Sequence, residues 1–423
     1  MRSLHFQDAL LRCAGALLLC AMGTATAQAQ GVTVAIGGAL QDGNTAVWQR
    51  LVQLAGGPGA CFSVFTAASG EPDVSAAAVA ANLGRHGARG EHIRVGPRIA
   101  GQDVAAAVAD PQWLQRVRAC RGIYMTGGAQ ARLLDLLQPH GRTTPLLEAM
   151  REVWRAGGMV AGSSAGAAVQ SSVVFRDAPD PLAVMKGRLR EGQEWGLGLG
   201  FTPAEVIVDQ HAVKRGRIAR LLPLLQARGV PVGVAVEEDS AAVFRGSEIE
   251  VIGGRGVLIA DLAGATRQAA QREFNLAGAR LHWLEAGDRF DLRTRELLPS
   301  PARRAGTLLQ PLAAGHQGYH RGPAFYADIL GDAMIVGAMA RLVDSDQREL
   351  RGLAFAAEPL ADDPAPDLGF EWRLWVDAGT RGWLSTQPTA YTLSGVRLDI
   401  VPVRVQRPLY VPTPPSPQAE KPP

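Results

Sequence analysis

Short apolar runs alternate with longer stretches of helical spacing from Val32 to about Asp261. Val32-Thr33-Val34-Ala35-Ile36 is apolar enough to be buried on both faces and stops at Gly37-Gly38, which predicts a buried strand. Residues 45–55 place Val47, Leu51 and Leu54 on one helical face. Residues 61–66 predict the next strand, and Asp110-Pro111 opens a helix with an acidic N-cap and proline at the first helical position. Residues 122–126 read as a strand, Gln130–Leu137 as a helix, and Thr144-Pro145 caps a helix running to Arg155. Met159-Val160-Ala161, Val206-Ile207-Val208 and Val232–Val236 are further strands. This rhythm predicts an α/β fold, a three-layer α/β/α domain around a mostly parallel sheet.

After Val236 the pattern shifts to hairpin strands at residues 242–245, 249–252 and 257–259, which predict the closing edge of that domain. Residues 279–284 read as one more strand, and residues 299–323, rich in Pro, Gly and Arg, as a linker or surface excursion. Residues 324–342 carry helical amphipathic spacing, and residues 372–376 and 391–405 predict a small β-rich module. The expected division is a hydrolase domain over residues 30–262, a C-terminal extension over 263–406, and a proline-rich tail over 407–423 that is not expected to pack. Residues 1–29 are expected to be a signal peptide. Arg2 and Arg12 precede an apolar run from Ala14 to Met22, and Ala25, Ala27 and Ala29 offer small-residue cleavage positions. Export to the periplasm or the medium follows from that reading.

Composition changes this picture little. Of 423 residues, 47% are apolar and 20% charged, which is globular. A net charge of +3 gives no argument for nucleic acid or a membrane surface as partner. With Cys13 and Cys20 in the export segment, only Cys61 and Cys120 remain, as a disulfide or as buried thiols. Without clustered histidines they do not predict a zinc site, and no metal or cofactor is expected.

The candidate chemistry lies at the strand ends. Gly162-Ser163-Ser164-Ala165-Gly166 is a G-x-S-x-G motif between a strand and a helix-compatible segment. Such a turn crowds the backbone, so its neighbours must be small. It lifts the hydroxyl above the sheet edge, next to free helix N–H groups that can stabilise an oxyanion. A plain small-residue packing turn would look similar in sequence. A serine nucleophile needs a base, and His211 directly follows the strand Val206–Val208 and Asp209-Gln210. His140, His282, His316 and His320 are less well placed. The base needs an orienting acid, and Glu237-Glu238-Asp239 follows another strand. Of the two glutamates only one is expected to reach, since successive strand residues face opposite ways. Thr126-Gly127-Gly128-Ala129-Gln130 offers close backbone approach, and Arg215, Arg217 and Arg220 follow the histidine.

In this combination and order the residues resemble the cyanophycinase branch of the peptidase E family of serine peptidases. The matching pieces are Gly37-Gly38, residues 126–130, Gly162 to Ala167, Asp209-Gln210-His211 with the three arginines, and residues 232–241; the likeness covers roughly residues 31–262. It implies a fold like class I glutamine amidotransferases, with serine where those have cysteine. It also implies Ser164 as nucleophile, His211 as general base, Glu238 as its partner, and Gly128 and Ala165 as oxyanion donors. Gln130, Gln210, Arg215, Arg217 and Arg220 would hold substrate. The substrate implied is cyanophycin, a polyaspartate with arginine on each side-chain carboxyl, released as β-Asp-Arg dipeptides; relatives are commonly dimers. Ala129, Ala212 and the Glu237-Glu238-Asp239 run depart from the family pattern and bear on the pocket that reads the arginine. Two other readings stay open: a peptidase E-like exopeptidase on other Asp-containing or isopeptide-linked dipeptides, and a non-catalytic carboxylate-binding protein.

Overall fold

The computed structural model describes residues 31–177, 180–386 and 389–413; the expected signal peptide and the last residues of the tail lie outside them. Strands β1 (Val32–Ile36), β2 (Cys61–Phe65), β3 (Arg89–Ile93), β4 (Gly122–Met125) and β5 (Met159–Ser163) lie side by side in the order β1-β5-β4-β2-β3. All four pairings are parallel. Helical crossovers connect these strands, as parallel pairing requires. The helices Thr45–Leu54 and Pro72–Arg85 pack on one face through Val47, Leu51, Val79 and Leu83. Gln130–Leu137 and Pro145–Arg155 cover the other through Leu133, Leu137, Leu147 and Met150.

The remaining strands depart from the mostly parallel sheet expected from the sequence. β6 (Val173–Phe175) and β7 (Trp195–Leu197) form a separate ribbon. β8 (Val206–Gln210) and β9 (Val232–Val236) pair in parallel, but with one another rather than with β1 to β5. β10 (Ser240–Arg245) and β11 (Glu248–Gly253) make a hairpin that extends the first sheet antiparallel from β1. β12 (Val257–Asp261) instead crosses to the second sheet, where it runs antiparallel to β9 and to β13 (Leu276–Leu284). The connection from Arg245 to Glu248 is too short for a crossover helix, so β10 and β11 pair antiparallel.

The second sheet continues from β13 through Thr389–Arg404, Leu368–Trp375 and Glu349–Ala354. These strands of the C-terminal extension are therefore hydrogen-bonded in series to the histidine-bearing strand β8, whereas Arg289–Asp291 and Glu296–Leu298 extend the first sheet from β11. Residues 299–323, read as an excursion, contain the short strand Thr307–Leu309, paired with Arg381–Thr386. The helix expected over 324–342 is confined to Met334–Val343. Leu330 lies against the histidine loop: a Cβ on Gly216 would sit 2.7 Å from the Leu330 carbonyl oxygen.

The two sheets meet through Ala35, Ala242 and Phe244 on one side and Val206, Val208, Val234 and Ile259 on the other. This apolar contact sets the ends of β1 and β5 beside those of β8 and β9. Cys61 and Cys120 form a disulfide, which joins the start of β2 to the residue two before β4.

Candidate active site

Three strand ends meet above this contact. β5 ends at Ser163, and Ser164 turns the chain sharply, at φ 52 and ψ −112, into the short helix Ala165–Ala168. A non-glycine residue there is strained, a conformation that persists only where the surroundings impose it. The surroundings are backbone: a Cβ on Gly166 would overlap the Met125 carbonyl. The Ser164 N–H donates to Ile36 O at 2.9 Å, tying the turn to β1. The hydroxyl consequently stands at the helix N-terminus, where the first N–H groups, that of Ala165 included, have no intrahelical acceptor. Gly127 faces the same hydroxyl; a Cβ there would lie 3.1 Å from Ser164 Cβ. Gly128, with φ 134, follows it at the end of β4.

His211 continues from β8 with φ 51, its N–H donating to Gly37 O at 2.9 Å. Its ring lies against Gly38, where any side chain would overlap the imidazole. Ser164 Oγ is 2.9 Å from His211 Nε2 and 3.3 Å from Gln210 Oε1, and the shorter contact is to the histidine. On its other edge, His211 Nδ1 is 2.7 Å from Glu238 Oε1. Serine, histidine and glutamate are thus joined by two hydrogen bonds. Burial holds the imidazole below its ordinary pKa, and the neighbouring charges of Arg215 and Arg217 act the same way against the opposing pull of Glu238. It is therefore neutral at pH 7, with Nε2 free to accept a proton. For Glu238, burial acts to raise the pKa, but hydrogen bonds from His211 and Lys214 outweigh it and leave the carboxyl below its usual range.

Glu237 and Glu238 both point toward the histidine loop, contrary to simple strand alternation, because both lie beyond the end of β9. Only Glu238 reaches the ring. Glu237 Oε2 accepts from the Val213 and Lys214 N–H groups at 2.6 and 3.0 Å.

The residues expected to hold substrate divide sharply. Arg220 is 0% exposed and forms a two-point ion pair with Asp209, both contacts 2.7 Å, while its guanidinium lies 4.6 Å over the Phe175 ring. Arg217 is buried too and donates to Gln210 Oε1 at 2.7 Å and Gln210 O at 3.1 Å. Both arginines are buried on these partners and hold the end of β8 in place. Gln130 is buried, and its amide donates to Phe175 O at 2.8 Å, so its NH2 is taken up in holding that loop. Arg215 alone of the three arginines is open to solvent, with a side chain 53% exposed. Lys214, which the sequence reading passed over, is 43% exposed with Nζ 3.1 Å from Glu238 Oε2. No sequence motif marks it.

A strained serine at a strand-to-helix turn, a neutral histidine and a buried acid make the arrangement of a serine-type peptidase. The model of peptidase family S51 matches residues 35–252. A protein named cyanophycinase from Geminocystis herdmanii is 33% identical over 258 residues, 59% of this chain and 89% of that protein. Another of that name from Synechococcus elongatus is 31% identical over 277 residues, 63% of this chain and 81% of its own length. A solved peptidase from an acI-B1 Actinobacterium is similar at TM-score 0.46 and 21% identity over 62% of this chain and 98% of its own, too loose a likeness to carry an argument. The chain belongs to peptidase family S51 and is a peptidase hydrolase.

Proposed function

We propose that this chain is an exported serine exopeptidase that hydrolyses cyanophycin to β-Asp-Arg dipeptides. The observation that carries the reading is the chain of contacts from Ser164 Oγ to His211 Nε2 at 2.9 Å and from Nδ1 to Glu238 at 2.7 Å. In this proposal His211 takes the Ser164 proton as Oγ attacks the scissile carbonyl, and Glu238 keeps Nδ1 protonated and stabilises the imidazolium. The N–H groups of Gly128 and Ala165 receive the developing oxyanion. His211 then returns its proton to the leaving amine, and water, activated in the same way, releases the acyl group. The relatives' name supports cyanophycin as substrate. A fold like class I glutamine amidotransferases belongs to the same proposal, supported by helices on both faces of the five parallel strands. Export is supported by the Cys61–Cys120 disulfide, since such bonds persist in oxidising compartments.

Substrate recognition is reduced from three arginines to one. Arg215 offers a planar fork to a carboxylate at the solvent side of the triad, whereas Arg217 and Arg220 act on the protein itself. Incubating mature protein with insoluble cyanophycin and weighing the products by mass spectrometry tests the reading. Dipeptides are expected, and Ser164→Ala should yield none. Labelling of Ser164 by a serine-directed phosphonate without any release from the polymer would reject cyanophycin and favour a peptidase acting on smaller isopeptide-linked dipeptides.

A further inference from the structure

Glu238 has two carboxylate oxygens, and the contact with His211 uses one. Oε1 lies 2.7 Å from Nδ1, and Oε2 lies 3.1 Å from Lys214 Nζ. The main chain of Lys214 is fixed independently, because its N–H and that of Val213 both donate to Glu237 Oε2. Two consecutive acids therefore grip the same stretch of the histidine loop with their side chains, Glu237 at the backbone N–H groups of Val213 and Lys214 and Glu238 at the Lys214 ammonium. An ion pair between two exposed side chains contributes little. This pair differs because the Glu238 side chain is only 10% exposed and its other oxygen orients the imidazole. A carboxylate held at one oxygen can swing about that contact; held at both, it cannot.

We infer that Lys214 is a positioning residue of the peptidase: its ammonium fixes the outer oxygen of Glu238 and so keeps the inner one in line with His211 Nδ1. The inference rests on the Ser164–His211–Glu238 reading and adds a fourth member to it. The charged groups facing Glu238 are His211, Lys214 and, at 3.9 Å, Arg215; those facing His211 are Glu238, Arg215 and Arg217. Removing the Lys214 charge takes a cation away from Glu238 and raises its pKa; the less neutralised carboxylate then pulls the His211 pKa upward more strongly. Activity requires Glu238 ionised and His211 neutral, so the acid limb of the pH profile moves to higher pH.

The test compares full-length wild type, Lys214→Met and Lys214→Arg, with thermal midpoints recorded to establish folding. For each, kcat/KM is measured against pH on a small neutral ester and on a cyanophycin fragment. For Lys214→Met, kcat/KM is expected to fall about three- to tenfold on both substrates, with the acid limb displaced upward by about half a pH unit. Lys214→Arg should recover activity to within about twofold, since it restores the charge with a different shape. A loss confined to the carboxylate-bearing fragment, with the limb unmoved, overturns the inference and makes Lys214 a substrate contact. No change on either substrate overturns it as well, leaving an ordinary surface pair. Ser164→Ala is run alongside: ester hydrolysis that survives in that variant sinks the triad itself, an outcome separate from anything Lys214 does.

Discussion

The turn at Ser164 and the loop at His211 meet at one hydrogen bond, yet they are held by different forces. The serine turn is fixed by backbone crowding, with Gly166 pressed on Met125 and the Ser164 N–H tied to Ile36. The histidine loop is held by ionic and polar side chains: Arg220 on Asp209, Arg217 on Gln210, Glu237 on two N–H groups and Lys214 on Glu238. Close packing tolerates almost no change of volume but is indifferent to pH. A network of buried charges behaves the other way: it depends on every partner staying ionised and is broken by losing any one. The nucleophile therefore sits on a rigid mount and the base on a titratable one.

The largest effect expected is at the mount itself. Ser164→Ala removes the hydroxyl and keeps a small residue in the turn, so the variant should fold while turnover drops by at least about a thousandfold. Turnover within roughly tenfold of wild type would mean another residue attacks.

Next comes the loop's buried pair. Arg220→Met leaves Asp209, which is 1% exposed, without its cation and with only the Gln210 N–H as a donor among the described residues, and should cost about 3–5 kcal/mol of stability, read from denaturant midpoints. Replacing Asp209 by Leu in the same chain should recover most of that loss. If Arg220→Met barely moves the midpoint, the claim that charge holds this loop is wrong. Glu238→Gln then bears on the base, and a loss of up to about ten-thousandfold in kcat is expected, because the tautomer of His211 is no longer imposed. Glu237→Gln should cost less, since an amide oxygen still accepts from Val213 and Lys214. The reverse order would assign the orienting role to Glu237.

The contrast also explains what the sequence revealed. The strands at residues 32–36, 159–161, 206–208 and 232–236 were legible as apolar runs of three to five residues, the middle two running on to Ser163 and Gln210 in the structure, and the serine motif because tight turns leave only small residues as options. β3 was missed: Arg89-Gly90-Glu91-His92-Ile93 is an edge strand with little apolar pattern. The second sheet was illegible as a sheet, since the pairing of β12 with β9 and β13 links segments whose local patterns say nothing about partners. Within the site, helical spacing placed Arg217 and Arg220 on one face but not which way that face turned. The signal that Arg220 is buried lay in Asp209, an acid inside an apolar strand, which needs a cation.

The smallest effect concerns Arg215, and it separates recognition from scaffolding. Its side chain is half exposed and its nearest acid, Glu238, is 3.9 Å away, so it contributes little to the fold. Arg215→Gln should leave the thermal midpoint nearly unchanged, whereas Arg217→Gln should lower it, because Arg217 is buried on Gln210. If Arg215 meets a substrate carboxylate, its loss should raise KM on cyanophycin fragments by about three- to tenfold, and 1.4 kcal/mol corresponds to tenfold. Hydrolysis of a small neutral ester should change less, and fall only at low pH. The Arg215 charge helps to hold the His211 pKa down, so without it the imidazole protonates more readily and the acid limb rises slightly. Lysine at this position should restore the limb but not the KM, since it returns the charge without the planar fork. An unchanged KM on the fragments would remove Arg215, the one solvent-open arginine of the three, from recognition and leave the carboxylate without the receiver proposed for it.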